Sequence, residues 1–284
     1  MNYDNCTLCP RACGADRTAG ETGFCGCPPV ALVSKAMLHK WEEPVLAGEN
    51  GSGAIFFGGC TLGCRYCQNY AISRTPCGTE MDGKQLRECM DSLISQGAEN
   101  IDLVTPTHFL PTVLEALETP LPVPVVYNCG GYERAEVISL LAGKVDIFLP
   151  DLKYADNALA QALSGAYGYF ETALSAIGKM VELTGAPVFE GERLKRGTVI
   201  RHLILPGQVE NSLKVLDAIG EHFGASVLVS LMRQYTPIPG MTPPLDRPIT
   251  DREYDAVLSW MYLNDLRGFV QDATASNLKY IPDF

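Results

Sequence analysis

Gly53-Ala-Ile-Phe-Phe-Gly-Gly-Cys60-Thr-Leu-Gly-Cys64-Arg-Tyr-Cys67 is the stretch that decides how this chain folds and what it binds. Residues 53–59 read as a short buried strand that ends in glycines, and three cysteines follow at once. Cysteine thiolates hold iron–sulfur clusters, and four of them saturate a cubane. Three thiolates on one short loop therefore leave one iron open for chemistry, as an open position does on zinc. A zinc knuckle or a chance group of buried thiols is the less favoured alternative, because the loop lacks the pairing that a closed zinc site needs.

Length and composition indicate a globular enzyme. The chain has 284 residues, of which 46% are hydrophobic and 19% charged, enough for one large barrel or two smaller domains. Its net charge of −11 argues against a nucleic-acid partner, because neutralising phosphates takes a basic surface. No apolar run is long enough to span a bilayer, and residues 1–6 lack the basic-then-apolar pattern of a secretory signal. We therefore expect a cytoplasmic protein.

Apolar runs bounded by turn residues alternate with helical patterns along the rest of the chain. The apolar runs lie at 53–58, 100–105, 123–128, 145–151, 197–204 and 225–231. The helical patterns lie near 83–97, 111–118, 132–142, 157–182 and 210–222. Six strands with crossover helices favour a parallel sheet, so we expect an α/β fold: a partial (β/α)6 TIM-like barrel with a small N-terminal metal-binding extension. The predicted domains are 1–51 for a cysteine-rich head and lead-in, 52–272 for the barrel and 273–284 for a C-terminal tail.

Polar residues follow the predicted strands at their carboxyl ends, where barrels of this kind carry their active residues. After the cysteines of the first strand, these residues are Thr105, His108, Asn128, Asp151, Lys153, Arg201 and Arg233. Each also has an ordinary structural interpretation: a lone histidine is more often a hydrogen-bonding residue than a ligand, and Gly130 and Gly131 can serve a turn that needs positive φ. Polar residues at every strand end, with an open cluster at the first, favour an active site.

The cysteine spacing after a strand resembles the signature of the radical S-adenosylmethionine (SAM) superfamily, and aromatic Tyr66 before the last cysteine fits it. The resemblance implies a 4Fe–4S cluster on Cys60, Cys64 and Cys67, whose fourth iron binds the amino and carboxylate groups of SAM. It also implies that one electron from the reduced cluster cleaves SAM into methionine and a 5′-deoxyadenosyl radical, which takes hydrogen from the substrate. No side chain need act as a general base in that first step, so no catalytic residue is predicted beyond the cluster and SAM.

Within this superfamily, residues 52–272 resemble the branch that contains the pyruvate formate-lyase activating enzyme. Asp151-Leu-Lys153 matches the Asp-Leu-Lys segment that ends the fourth strand of those activases. Ile200-Arg201 and Pro206-Gly207 match an Ile-Arg segment on the fifth strand that leads to Pro-Gly. By this resemblance Asp151, Lys153 and Arg201 would contact SAM or a cation beside its carboxylate, and cations, arginine above all, suit a carboxylate ligand.

The full predicted set of SAM-binding residues is Tyr66, Thr105, His108, Asn128, Asp151, Lys153, Arg201 and Arg233. One feature of the family is missing from this chain: the Gly-Gly-Glu segment that usually follows the second strand. Thr105-Pro-Thr-His108 occupies its place. The amino group of SAM is therefore expected to lie against hydroxyl or backbone oxygens.

The N-terminal extension holds a second group of cysteines. Cys6-Thr-Leu-Cys9-Pro-Arg-Ala-Cys13, then Gly23-Phe-Cys25-Gly-Cys27, precede Trp41-Glu-Glu-Pro44, and the arrangement resembles an activase-like subgroup whose substrates are mostly unassigned. Four thiolates, from Cys6, Cys9, Cys13 and Cys25, suit structural zinc or a second iron–sulfur cluster about equally. A structural site is favoured because so short a segment needs a staple to fold; free thiols are the alternative.

The remaining notable residues have simpler interpretations. Cys77, Cys89 and Cys129 are expected to be small buried hydrophobes, although Cys129 lies at a strand end. Trp41 is expected to be a core aromatic, while Glu42 and Glu43 are either solvated or reach the rim. Thr250-Asp-Arg-Glu253 reads as a capping box that opens a last helix.

The family resemblance implies a substrate and a reductant. The substrate would be a glycine Cα–H on a partner glycyl radical enzyme, and the reductant a one-electron carrier such as flavodoxin or ferredoxin. The main alternative is a radical SAM enzyme that modifies a small metabolite or another peptide. A non-catalytic electron carrier with two clusters is a third interpretation, which the open iron and the SAM-type residues disfavour. If the rim of the active site, formed by the carboxyl ends of the strands, is open, it would suit a protein loop. A closed rim would suit a small metabolite.

Overall fold

A computed structural model describes residues 3–271 of the protein, and the predicted tail at 273–284 lies outside the described residues. The strands of the described part are β1 (Ala31–His39), β2 (Ser52–Phe57), β3 (Thr79–Met81), β4 (Ile101–Val104), β5 (Val125–Cys129), β6 (Ile147–Pro150), β7 (Val188–Glu190), β8 (Arg193–Leu203), β9 (Leu228–Met232) and β10 (Gly268–Val270). Its α-helices are α1 (Pro44–Ala47), α2 (Tyr70–Arg74), α3 (Gly83–Ser95), α4 (Leu110–Ala116), α5 (Ala135–Ile138), α6 (Asn157–Ser164), α7 (Tyr169–Thr184), α8 (Val209–His222) and α9 (Asp251–Leu263).

The strands form one sheet in the order β10-β9-β8-β6-β5-β4-β2-β1-β3, with β7 paired to β8. Every pair from β2 to β10 on this path is parallel. The six predicted strands are therefore confirmed, as β2, β4, β5, β6, β8 and β9, and they are neighbours in chain order. Their carboxyl ends consequently meet at one edge, where the polar residues of the sequence come together.

The central strands are buried along their whole length in β2, β5 and β6. Parallel strands that are buried on both faces lack the alternation of polar and apolar residues, which is why they read as continuous apolar runs. The capping boxes also follow the sequence. Thr250 accepts a hydrogen bond from the Glu253 amide and the Glu253 carboxylate returns to the Thr250 amide, so α9 begins as predicted.

The predicted helix at 157–182 is wrong in one respect, because it is two helices. Gly165 ends α6 with φ of 58°, and Gly168 precedes α7 with φ of 57°. These left-handed conformations suit glycine and interrupt a helix. The break brings the end of α6 against the cysteine loop, residues 60–67, where the Arg65 amide donates to the Leu163 carbonyl at 2.8 Å.

The lead-in to the barrel contributes a strand that the pattern did not predict. β1 pairs antiparallel with β2, and β3 pairs antiparallel with β1. The predicted domain boundary at 51/52 thus lies between two strands of the same sheet. No helix among residues 3–271 is long and apolar enough to cross a membrane.

Candidate active site

A cavity of about 290 Å³ lies at the carboxyl edge of the parallel strands. Its wall comes from the cysteine loop after β2 and from the ends of β4, β5, β6, β8 and β9. The predicted residues that line it are Cys60, Cys64, Tyr66, Cys67, Thr105, Asn128, Asp151, Lys153 and Arg201. These residues are far apart in sequence, and they meet because parallel strands place their carboxyl ends side by side.

Two predicted SAM-binding residues, His108 and Arg233, do not line the cavity. His108 sits in a 3₁₀ turn just after β4 and is 1% exposed, with Nε2 at 2.8 Å from the Gly58 carbonyl. Burial lowers the pKa of His108 to about 4, so the imidazole is neutral and ties the end of β2 to this turn. Arg233 turns toward α9, where Nη2 donates to Asp251 at 2.7 Å and the guanidinium lies over the Tyr254 ring.

The cysteine loop has the donor chemistry that an iron–sulfur cluster needs. Burial, followed by the charges of Cys67 and Cys64, raises the pKa of the Cys60 thiol to about 12. The charges of the three sulfurs therefore interact with one another. A bound metal would remove their protons outright. The amide of Leu62 already donates to Cys60 Sγ at 3.4 Å, and Ser164 Oγ donates to Cys64 Sγ at 3.2 Å. These contacts fit a site that stabilises thiolates.

Opposite the loop lies an ion triad of Asp151, Lys153 and Arg201. Asp151 Oδ1 accepts from Arg201 Nε at 2.9 Å and Oδ2 from Lys153 Nζ at 2.5 Å. Burial would raise the pKa of Asp151, but the charges of Arg201 and Lys153 hold it below its ordinary value. Burial would lower the pKa of Lys153, but Asp151 raises it above its ordinary value. Two cations thus share one carboxylate at the cavity wall, and Arg201 also donates to Asn128 Oδ1 at 2.5 Å.

The segment Trp41–Pro44 also lines the cavity. The expectation that Trp41 is a core aromatic is wrong, since its side chain is 62% exposed. Glu42 and Glu43 both lie at the wall, which is one of the two positions that the sequence left open. Burial, and then the charges of Asp102 and Glu43, raise the pKa of Glu42 well above its ordinary value. The strand-end pattern missed this segment because it follows β1, a strand that the pattern did not predict and that runs antiparallel to β2.

Further polar residues of the wall fall outside the predicted SAM-binding set. They include His39, Gln68, Asn69, Ser230, Gln234, Thr236 and Gln271. Gln68 and Asn69 follow the last cysteine, and Ser230 and Gln234 lie at the end of the sixth predicted strand, so position relative to the predicted strands indicates them. Gln271 reaches the wall only because β10 adds a parallel strand beside β9.

The turn after β5 depends on one glycine. Gly131 has φ of 77°, and a Cβ added there would lie 2.0 Å from the Asp151 carbonyl oxygen. Gly130 has no positive φ, so the predicted turn glycine is Gly131 alone. Thr105, at the end of β4, adopts φ of 62° although it is not glycine. Strained backbone of this kind persists where the surrounding structure holds it, often at functional sites.

Gly131→Ala is expected to destabilise the fold far more than Gly143→Ala. Both positions have positive φ, but an alanine Cβ at Gly143 meets no atom within 4 Å. Gly143→Ala should lower the free energy of unfolding by about 1–2 kcal/mol, because alanine is disfavoured in the left-handed conformation. Gly131→Ala should lower it by roughly a further 1–3 kcal/mol, because its Cβ would overpack against the backbone. Urea unfolding of the two variants checks this, and equal midpoints would contradict it.

The cysteines of the N-terminal segment lie outside the cavity. Cys6, Cys9 and Cys27 are buried, Cys25 is half-buried and Cys13 is exposed. Residues 3–271 contain no preformed group of three potential metal ligands, either in this segment or in the cysteine loop. The four-thiolate site at Cys6, Cys9, Cys13 and Cys25 and the cluster on Cys60, Cys64 and Cys67 therefore both stay predictions.

The segment is attached to the barrel by a buried arginine. Arg17 is 1% exposed and donates to the carbonyls of Cys27, Pro28 and His108. Of the remaining cysteines, Cys129 is buried as expected and Cys89 half-buried. The expectation of a buried Cys77 is wrong, because it is exposed.

Known proteins are similar to this chain in sequence or in fold. The uncharacterized protein MJ0674 of Methanocaldococcus jannaschii is 29% identical over 250 residues, which make up 83% of this chain and 67% of that protein. Streptococcus suis SuiB bound to S-adenosylmethionine superposes over 79% of this chain with a TM-score of 0.55 and 13% identity. A radical SAM methyltransferase from Sphaerobacter thermophilus superposes with a TM-score of 0.55 and 12% identity, over 79% of this chain and 69% of that one. This chain spans 50% of SuiB, and at such identities the likeness concerns the fold alone. The profile of the radical SAM superfamily matches residues 54–219, and the chain belongs to that superfamily.

Proposed function

We propose that this protein binds a 4Fe–4S cluster through Cys60, Cys64 and Cys67, cleaves SAM reductively, and generates a glycyl radical on a partner protein. When bound, the cluster and SAM supply the hard chemistry, a one-electron cleavage that gives methionine and a 5′-deoxyadenosyl radical. The observation that carries the proposal is that the three cysteines and the ion triad face one cavity.

The ion triad suits the carboxylate of SAM. Arg201 and Lys153 bring two positive charges to the cavity wall, and cations of both kinds bind carboxylates. Asp151 contacts both cations, so it holds them in position while leaving one positive charge of the triad for the ligand. The triad residues would therefore hold the carboxylate end of SAM in the cavity that the cysteine loop also lines.

The amino group of SAM needs acceptors in place of the missing Gly-Gly-Glu segment. Thr105 lies at the cavity wall, at the end of β4, where that segment would stand. Its left-handed backbone reorients the peptide groups around it, which supports the expected contact with hydroxyl or backbone oxygens. Glu42 and Glu43 are additional acceptors on the same wall.

The size of the cavity supports a macromolecular substrate. Its volume of about 290 Å³ is near the lower end of the roughly 300–1,000 Å³ typical of small-ligand sites. SAM would share this space, and a narrow segment such as a glycine in an extended loop suits the room beside it. Exposed Trp41 offers such a segment an aromatic contact at the wall. We propose flavodoxin or ferredoxin as the class of reductant.

The proposal is tested with the anaerobically reconstituted protein, SAM and dithionite. We expect 5′-deoxyadenosine and methionine in equal amounts. With peptides that carry glycine deuterated at Cα, we expect deuterium in the 5′-deoxyadenosine, because the radical takes hydrogen from that position. SAM cleavage without deuterium transfer from any glycine peptide would favour the small-metabolite alternative. An iron–sulfur cluster with no SAM cleavage under any reductant would contradict the proposed chemistry.

A further inference from the structure

The guanidinium of Arg11 lies between the cysteine loop and the end of α6. Its Nε donates to the Thr61 carbonyl at 3.0 Å, and Nη2 donates to the carbonyls of Leu62 and Ser164, each at 3.0 Å. Nη1 donates to the Gly165 carbonyl. One planar cation from the N-terminal segment thus holds two segments that are about a hundred residues apart in sequence.

Two further contacts complete this arrangement. The Phe24 ring, from the second cysteine pair of the N-terminal segment, has its centroid 3.8 Å from Arg11 Cζ. Arg74, on α2, donates to the Gly63 carbonyl. The three successive carbonyls of residues 61–63 therefore all face guanidinium groups, two facing Arg11 and one facing Arg74.

The geometry of the peptide bond links these contacts to the cluster ligands. In a trans peptide the carbonyl and the following N–H belong to one plane and point in opposite directions. The Thr61 carbonyl that Arg11 holds shares its plane with the Leu62 N–H, which donates to Cys60 Sγ at 3.4 Å. The Leu62 carbonyl shares its plane with the Gly63 N–H, whose hydrogen bond to Cys60 lowers the pKa of that thiol against the effect of burial. Holding the carbonyls on one side therefore directs the N–H groups to the sulfur on the other.

Arg11 acts on a second cysteine through α6. It binds the Ser164 carbonyl, and Ser164 Oγ donates to Cys64 Sγ at 3.2 Å. The Tyr154 hydroxyl lies 2.7 Å from Ser164 Oγ and 2.7 Å from the Tyr66 hydroxyl. The serine is thereby held from its backbone by Arg11 and from its side chain by a tyrosine pair.

We infer that Arg11 is a positioning residue that sets the reduction potential of the cluster by fixing the hydrogen bonds to Cys60 and Cys64. Hydrogen bonds to the sulfurs and nearby positive charge stabilise the reduced, more negative cluster and so raise its potential. The inference rests on the proposed cluster in the 60–67 loop. It assigns the N-terminal segment a role in the electron transfer that starts the reaction, independent of any metal of its own.

The test is an anaerobic redox titration of the reconstituted holoprotein, followed by electron paramagnetic resonance of the reduced cluster. For Arg11→Gln we expect an intact cluster whose equilibrium constant for one-electron reduction is about tenfold lower, a potential shift of about 59 mV to more negative values. Ser164→Ala removes one donor to Cys64 without removing Arg11, so its potential should shift in the same direction. Arg11→Lys keeps the charge but not the planar fork, and it should not restore the wild-type value.

The matched control is Arg87→Gln. Arg87 also donates to main-chain carbonyls, those of Ala116 at the end of α4 and of Thr119 after it, but it lies on α3, and its hydrogen bonds go to neither the cysteine loop nor α6. The reduction potential of the cluster in Arg87→Gln should equal that of the wild type. Wild-type potentials in Arg11→Gln and Ser164→Ala, with full cluster content, would overturn the inference and leave the proposed function standing. If Arg11→Gln does not retain the cluster, Arg11→Lys decides, and a wild-type potential in that variant would overturn the inference. A wild-type protein that binds no iron–sulfur cluster would refute the proposed function instead.

Discussion

Cys64→Ala should abolish the formation of 5′-deoxyadenosine. Cys64 is buried at the cavity wall, between the other two cysteines of the loop, and two remaining thiolates cannot hold a cubane that already lacks a fourth protein ligand. Since the cluster carries the chemistry, we expect a loss of at least about three orders of magnitude in turnover. Chromatographic quantification of 5′-deoxyadenosine, together with iron and sulfide content, measures both effects.

Cys89→Ala is the control for this variant. Cys89 is a half-buried thiol on α3 that does not line the cavity. Its replacement should leave iron content and 5′-deoxyadenosine formation at the wild-type level. Undiminished turnover in Cys64→Ala would show that the loop is not the cluster site.

Asp151→Ala should be the most destabilising change in the ion triad. It leaves Lys153 and Arg201 largely buried, with their side chains only 15% and 17% exposed, and without the carboxylate that both contact. Removing one partner of a buried ion pair typically costs about 3–5 kcal/mol in the free energy of unfolding. Affinity for SAM should fall as well, because the two cations lose the group that holds them at the wall. Urea unfolding at pH 7 and equilibrium SAM binding measure the two effects.

The difference in the free energy of unfolding between the wild type and Asp151→Ala should become smaller as the pH falls. The pKa of Asp151 is lower in the folded protein than its ordinary value because of Arg201 and Lys153. Its stabilisation is therefore fully present above the unfolded pKa, about 3.9, and is lost as the pH falls through the folded pKa. The gap between wild type and Asp151→Ala should narrow in acid.

Asp91→Ala is the matched control for the ion pair. Asp91 pairs with Arg87 on the exposed face of α3, and its side chain is 54% exposed. Such surface pairs contribute about 0–1 kcal/mol. Equal losses of stability in Asp151→Ala and Asp91→Ala would contradict the role given to the buried triad.

Much of this site could be predicted from sequence because its residues follow local patterns. The cysteine spacing lies within eight consecutive positions, 60–67, and the buried parallel strands appear as apolar runs. Once the strands are known, the barrel rule places their carboxyl ends together, and Asp151, Lys153 and Arg201 do meet there. His108 shows the limit of the rule, since a 3₁₀ turn after β4 rotates its side chain into the core.

The cysteine loop, the six parallel strands and the superfamily could all be predicted from the sequence, because each depends on residue spacing or on continuous apolar runs along the chain. Only the tertiary structure decided that Trp41 and both glutamates of its segment lie at the cavity, and that Arg11 spans the cysteine loop and α6. The contacts of Arg11 and of the Trp41 segment join residues that are distant in sequence, so no local sequence pattern predicts them. They exist because the N-terminal segment packs against the strand ends, where a guanidinium can satisfy several buried carbonyls at once.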